Sequence, residues 1–271
     1  MRVSVSNIAW ELDEEPAVAS LLANRGIDLV DIAPGKYFPD PEAANASQMA
    51  AVRGLWADRG FAIHGMQSLL FGTNGLNLFD DGEGRMLRRL EAVCRVGGGL
   101  GAKSLTFGSP GQRDREGLSD EDAEAIAVGF FRRLGDSARE AGVVVCLEPN
   151  PVLYGCNFMT GTDEAAAIVR AVAHPAIRLQ LDTGAIAVNR EAATDLIDRH
   201  SALIGHVHAS EPGLATLGDC GAPHPEVAAA LRVRRPDLVV TVEMVAAAEG
   251  SHIDEVARAV DLALSCYGGE S

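Results

Sequence analysis

Basic residues are the first thing this chain is short of. Lys and Arg number 23 against 38 Asp and Glu, a formal net charge of −15 with a pI near 4.8. A surface so acidic repels phosphate backbones and anionic lipid, and the densest basic cluster, Arg232, Arg234 and Arg235, is too small to offset it. Neither a nucleic acid nor a membrane surface is therefore expected as a partner. The five cysteines, at 94, 146, 156, 220 and 266, form no CxxC pair, which excludes a zinc knuckle and argues against a disulfide framework. The first residues, Met1 to Asn7, lack the 7 to 15 residue apolar segment of a secretion signal, and no run approaches the roughly 20 apolar residues of a membrane span. The expectation is a soluble, cytoplasmic protein. Large aromatics such as Trp10, Trp56 and Phe71 are too few to mark an oligomer interface.

What is present is rhythm. The 271 residues, 47% apolar and 23% charged, are of ordinary globular composition and long enough for a large core. Strand-like runs alternate with amphipathic helical ones eight times, the pattern of an α/β chain folded as a single (β/α)8 barrel over residues 1–271. Strands are expected at Arg2 to Ser6, Asp28 to Ile32, Phe61 to His64 and Ser104 to Phe107, followed by four runs in the second half. Helices are expected over 16–24, 47–58, 85–96, 120–140, 163–173, 191–199, 226–231 and 252–264. Ser119 to Asp122 reads as a capping box, and Gly26, Gly60 and Gly142 sit where helix C-caps should fall. Long irregular segments follow strands two, three, four and seven, on the side where a barrel carries its active-site loops.

The last four strands share one further property. Val143 to Asn150, Ile177 to Gly184, Leu203 to Ala209 and Leu238 to Met244 are apolar runs that end in Glu148, Asp182, His208 and Glu243. These ends are 34, 26 and 35 residues apart, close to the roughly 30 of one βα unit, so four neighbouring strand ends carry metal-competent side chains. Strand alternation turns Cys146 with Glu148, Gln180 with Asp182, His206 with His208 and Thr241 with Glu243 into the barrel, and Leu147, Leu181, Val207 and Val242 toward the helices. His208, nearer the strand end, is the expected ligand, with His206 deeper as its support. Three carboxylates and one imidazole make a hard, oxygen-rich site that favours Mn²⁺, with Mg²⁺, Co²⁺ and Zn²⁺ as alternatives. Glu148 and Glu243 come from non-adjacent strands and could flank a substrate, one removing a proton and the other returning it.

The motifs LEPN, LDTG, GHVH and VEM in this order resemble those of the xylose-isomerase-like barrel superfamily, in particular its sugar phosphate isomerase/epimerase branch with the ketose 3-epimerases. The resemblance implies a divalent metal held by Glu148, Asp182, His208 and Glu243. It also implies Glu148 and Glu243 as the acid/base pair moving a proton beside a carbonyl of a sugar-like small molecule, and a homo-oligomer. Two positions depart from the ketose 3-epimerases. Ala185 stands where they usually have a histidine and Leu214 where they place an arginine, which points away from a free ketohexose and toward a modified sugar or one held by other loops.

Other substrate contacts are expected from His64 at the end of strand three and from His224 in the loop after strand seven. His206, Lys36, Gln67, Asn150 and Glu211 are further candidates, with Tyr37 and Asn157 beside them. The run Gly97 to Gly101 follows a helix and precedes a strand, the wrong order for a phosphate-cradling turn, and is expected to end the helix. Gly108 to Gly111 is better placed for an anion, attended only by Arg113. Three functions follow: an isomerase or epimerase; a lyase, dehydratase or C-glycoside-cleaving enzyme acting on an oxidised sugar through the same site; and a non-catalytic metal or polyol binder.

Overall fold

Continuous apolar runs become the staves of a closed barrel, because a parallel strand covered by helices outside and packed side chains inside has no wet face. A computed structural model of the chain describes residues 1–269. The strands are β1 (Arg2–Ser6), β2 (Leu29–Ile32), β3 (Ala62–Met66), β4 (Ser104–Phe107), β5 (Val144–Leu147), β6 (Ile177–Asp182), β7 (Ile204–Ser210) and β8 (Val239–Glu243). Each pairs in parallel with the next, and β8 closes on β1 with Arg2 opposite Val239 and Val5 opposite Val242. Around them lie α1 (Glu15–Ala23), α2 (Ala46–Asp58), α3 (Arg85–Leu100), α4 (Asp120–Ala141), α5 (Thr162–Val172), α6 (Thr183–Asn189), α7 (Ala193–His200), α8 (His224–Arg234) and α9 (His252–Tyr267).

Leu147, Leu181, Val207 and Val242 are fully buried among the apolar residues between strands and helices. Ser119 caps α4 by accepting from the Asp122 amide, and left-handed Gly142 is its C-cap; Gly26 and Gly60, also left-handed, follow the caps Asn24 of α1 and Arg59 of α2.

Two local expectations are corrected. β3 does not end at His64 but runs to Met66. The helix expected over 191–199 is preceded by a separate one: Asp182 caps α6 at once, and left-handed Arg190 ends it before α7 begins. The run Gly97 to Gly101 ends α3 as expected, with Gly101 at φ +85° as the cap and Gly97, Gly98 and Gly99 in its last turn. A Cβ on Gly98 would stand 2.3 Å from the Ala141 carbonyl oxygen, and one on Gly99 2.5 Å from Met49 Sδ, so these glycines let α3 pack against α4 and α2.

Candidate metal centre

At the C-terminal ends of β5 to β8, single ligand atoms of Glu148, Asp182, His208 and Glu243 all lie within 4.8 Å of one another. His208 Nδ1 is 3.1 Å from both Glu148 Oε1 and Glu243 Oε2. Glu148, Asp182 and Glu243 line a cleft of about 490 Å³ at this end of the barrel, while His208 is wholly buried beneath it.

Local sequence explains how each carboxylate is held. In LDTG, Asp182 Oδ1 accepts from the Ala185 amide (2.6 Å) and Oδ2 from the Ser210 hydroxyl (2.6 Å). That hydroxyl accepts in turn from the Gly184 amide at 3.0 Å, an approach only glycine permits, since a Cβ there would be 2.8 Å from Ser210 Oγ. Glu148 has room because β4 is followed by Gly108, whose Cβ would fall 2.4 Å from Glu148 Oε2. Oε2 accepts from Asn150 Nδ2 at 3.2 Å, leaving Oε1 toward His208. Arg113, fully buried, donates to the Glu148 carbonyl oxygen at 2.8 Å and to Cys156 Sγ at 3.2 Å, fixing the turn that follows β5.

A belt of buried polar groups underlies these four residues. Thr106 Oγ1 donates to Gln180 Oε1 (3.2 Å), Gln180 Nε2 lies 3.2 Å from His206 Nδ1, and His206 Nε2 lies 3.0 Å from Thr241 Oγ1 and 3.3 Å from Asp31 Oδ2. Ser4 Oγ donates to Asp31 Oδ1 at 2.7 Å. Irregular register occurs beside this belt, between Val30 and Asp31 and between Leu179 and Gln180, where a bulge re-aims an inward side chain. Gly65 leaves the space that the Asp31 carboxylate fills. The alternation read from the sequence thus places His206 one layer below His208.

The electrostatics call for a cation. Burial, then the neighbouring Glu148 and Glu243, push the Asp182 carboxyl up to about 7. Burial opposes a charged His208, but Glu243 and Glu148 outweigh it and hold its pKa well above the usual imidazole range. Burial, then His208 and His64, push the His206 imidazole well below its usual range. Ligands at roughly 2.0 to 2.4 Å from a divalent ion stand roughly 3 to 4.5 Å from one another, so the spacing and hard donor set of the four residues fit such an ion.

Of the other residues singled out by sequence, Gln67 and Asn150 line the cleft. Gln67 is 1% exposed, its Nε2 donates to Ser6 Oγ at 2.5 Å, and its Oε1 has no partner. The remaining candidates are not among the residues that line the cleft. The part-buried His64 ring lies 5.6 Å from that of His206, and β3 continues two residues past it. Glu211 is buried and accepts from the Gly218 and Ala222 amides (2.8 and 2.9 Å), with His224 Nε2 3.1 Å away. His224 Nδ1 meets the Tyr267 hydroxyl at 3.0 Å, so both residues organise the loop after β7 from within. Lys36 Nζ donates to the Asn7 and Trp10 carbonyl oxygens, Tyr37 bonds Glu15 and Trp56, and Asn157 bonds Asp114. Each is taken up by a neighbouring loop or helix. Arg113 points inward, away from any anion at Gly108 to Gly111. Sequence reasoning missed Ser210, although it stands two residues after His208 on the same face; the inward turn of Arg113 left no sequence signal.

The family model described as "Xylose isomerase-like TIM barrel" matches residues 19–262. Among solved structures, D-psicose 3-epimerase in the presence of D-fructose superposes with a TM-score of 0.79 at 17% identity, covering 99% of this chain and 100% of that one. D-psicose 3-epimerase from Clostridium cellulolyticum H10 gives 0.78 at 18%, covering 98% and 99%. The 3-keto-D-glucoside 4-epimerase from E. coli gives 0.75 at 15%, covering 98% and 100%. At such identities the likeness carries the architecture, and with the family match over most of its length the chain belongs to the xylose isomerase-like TIM barrels.

Proposed function

We propose that the protein is a divalent-metal-dependent isomerase or epimerase that moves a proton at a carbon adjacent to a carbonyl of a sugar or sugar derivative. One observation carries this reading: Glu148, Asp182, His208 and Glu243 bring ligand atoms within 4.8 Å at the floor of a cleft. These four residues would hold the metal, Mn²⁺ by preference and Mg²⁺, Co²⁺ or Zn²⁺ as alternatives. When bound, it supplies Lewis acidity toward a substrate oxygen and so acidifies the neighbouring C–H.

The chain's own groups supply the rest. Glu148 and Glu243, on strands that are not neighbours, face the substrate from two sides, one taking the proton and the other returning it. Asn150, bonded to Glu148 Oε2, orients that carboxylate. Gln67 Oε1, buried at the cleft and unpartnered, accepts from a substrate hydroxyl. The names of the similar structures are consistent with this chemistry, since 3-keto-D-glucoside 4-epimerase acts beside a keto group.

The test is solvent isotope wash-in. Purified protein loaded with Mn²⁺ is incubated in D₂O with D-psicose, D-fructose and 3-keto-D-glucosides, and substrate and product are followed by NMR. Deuterium beside the carbonyl together with a new epimer or isomer is expected. Loss of the substrate proton together with a leaving group, giving an unsaturated product and no epimer, would instead assign a lyase, and no exchange with any keto sugar would contradict the proposal.

A further inference from the structure

The cleft has two zones of opposite character. Its floor is the carboxylate cluster with Gln67 and Asn150; its rim is built from Leu70, Phe71, Pro110, Pro151, Tyr154 and Leu214, on the loops after β3, β4, β5 and β7. Its volume of about 490 Å³ is more than twice what a monosaccharide ring fills, roughly 150 to 200 Å³, and falls in the range of sites that enclose larger ligands. None of the described residues lining it is Lys, Arg or His. A phosphate or carboxylate on the substrate would meet three carboxylates there and only neutral donors, from the amides of Gln67, Gln112 and Asn150 and the nearby hydroxyls.

The rim is held in place. The Tyr154 hydroxyl accepts from the Gly213 amide at 2.8 Å, joining the loops after β5 and β7. Ser68, Ser109 and Leu214, which line the cleft, are three of the six described non-glycine residues with positive φ. Leu214 at φ +55° is the unusual one, because a branched aliphatic side chain gains nothing locally from the left-handed conformation and is strained by it. Phe71 is 82% exposed at the same opening, an aromatic surface left open by the described residues.

Resting on the proton-transfer reading, we propose that the substrate is an uncharged keto-glycoside: its oxidised sugar ring lies on the carboxylate floor and its apolar, aromatic aglycone lies against Phe71, Pro110, Tyr154 and Leu214. No lining side chain offers a cation to a sugar phosphate or a sugar acid. The apolar rim supplies affinity that a free ketose cannot use, since a sugar presents hydroxyls where the rim offers carbon.

The experiment is calorimetric binding to the Mn²⁺-loaded protein, independent of turnover. The probes are methyl β-D-glucopyranoside and 4-nitrophenyl β-D-glucopyranoside, with fructose and fructose 6-phosphate as the charge pair. The aryl glycoside should bind about tenfold tighter than the methyl one. That preference should fall to within about threefold in Phe71→Ala and in Leu214→Gly, with methyl glycoside affinity unchanged. Both substitutions spare the fold, as Phe71 is exposed and glycine relaxes the backbone at 214. Equal affinity for the two glycosides, undetectable binding of the aryl glycoside, a preference untouched by both substitutions, or tighter binding of fructose 6-phosphate than of fructose would each overturn the proposal. If deuterium wash-in occurs without aryl preference, this inference falls and the proton-transfer reading stands. An aryl preference without wash-in would uphold the glycoside site and remove the proton-transfer chemistry.

Discussion

Single residues decide whether the carboxylates can meet. Gly108 is the clearest case: its φ is one any residue can adopt, yet a Cβ would sit 2.4 Å from Glu148 Oε2. Gly108→Ala should displace that carboxylate by about 1 Å and slow solvent proton exchange about 100-fold, while the thermal midpoint moves by only a few degrees. An unchanged exchange rate would mean that Glu148 Oε2 does not touch the reacting proton. In the sequence, Glu148, Asp182, His208 and Glu243 were legible because each ends an apolar run and needs only the two-residue period of a strand to be placed. His64, His224, Glu211 and Lys36 were not, because a polar residue near a strand end or in a loop is drawn inward as readily by buried backbone and side-chain partners as outward by a ligand. Glu211 illustrates this, with two amides and an imidazole satisfying its carboxylate.

At the scale of elements, boundaries moved where a side chain replaced a backbone partner. α6 starts directly after a candidate ligand because the Asp182 carboxylate caps it, which no hydrophobic period announces. The run Gly97 to Gly101 reads as a helix terminus because glycine commonly ends helices; Gly101 does end α3, while Gly98 and Gly99 also narrow it for its neighbours. The two roles predict opposite signs for a substitution. In an exposed helix interior, Gly→Ala stabilises by up to about 1 kcal/mol. At Gly98 the added methyl would meet the Ala141 oxygen at 2.3 Å, and overpacking of this kind costs about 1 to 3 kcal/mol. Gly98→Ala should therefore lower the urea midpoint, and a raised midpoint would show that α3 and α4 separate freely.

For the whole molecule, the barrel order was legible from the eightfold alternation of strand and helix patterns. The uses to which the loops are put were not, because loop residues have no period to read. Metal-free Asp182, with a carboxyl pushed up to about 7 from a usual 3.8, is harder to ionise folded than unfolded. Above pH about 4 the unfolded state releases its proton first, so stability of the metal-free protein should fall as pH rises toward about 7, and His208, held above the usual imidazole range by the same carboxylates, carries the fall further as it loses its proton. A divalent ion removes that penalty and competes with the same proton. The rise in thermal midpoint on adding Mn²⁺ should be larger at pH 8 than at pH 5, as scanning calorimetry at the two pH values would record; equal rises would contradict a carboxylate cage. Among the described residues no helix is long and apolar enough to cross a membrane. The most direct test is diffraction from crystals grown with Mn²⁺, using anomalous scattering to locate the ion. A single peak at roughly 2.0 to 2.4 Å from Glu148, Asp182, His208 and Glu243 is the expected result. A peak elsewhere, or these four side chains drawn apart with no ion between them, would contradict it.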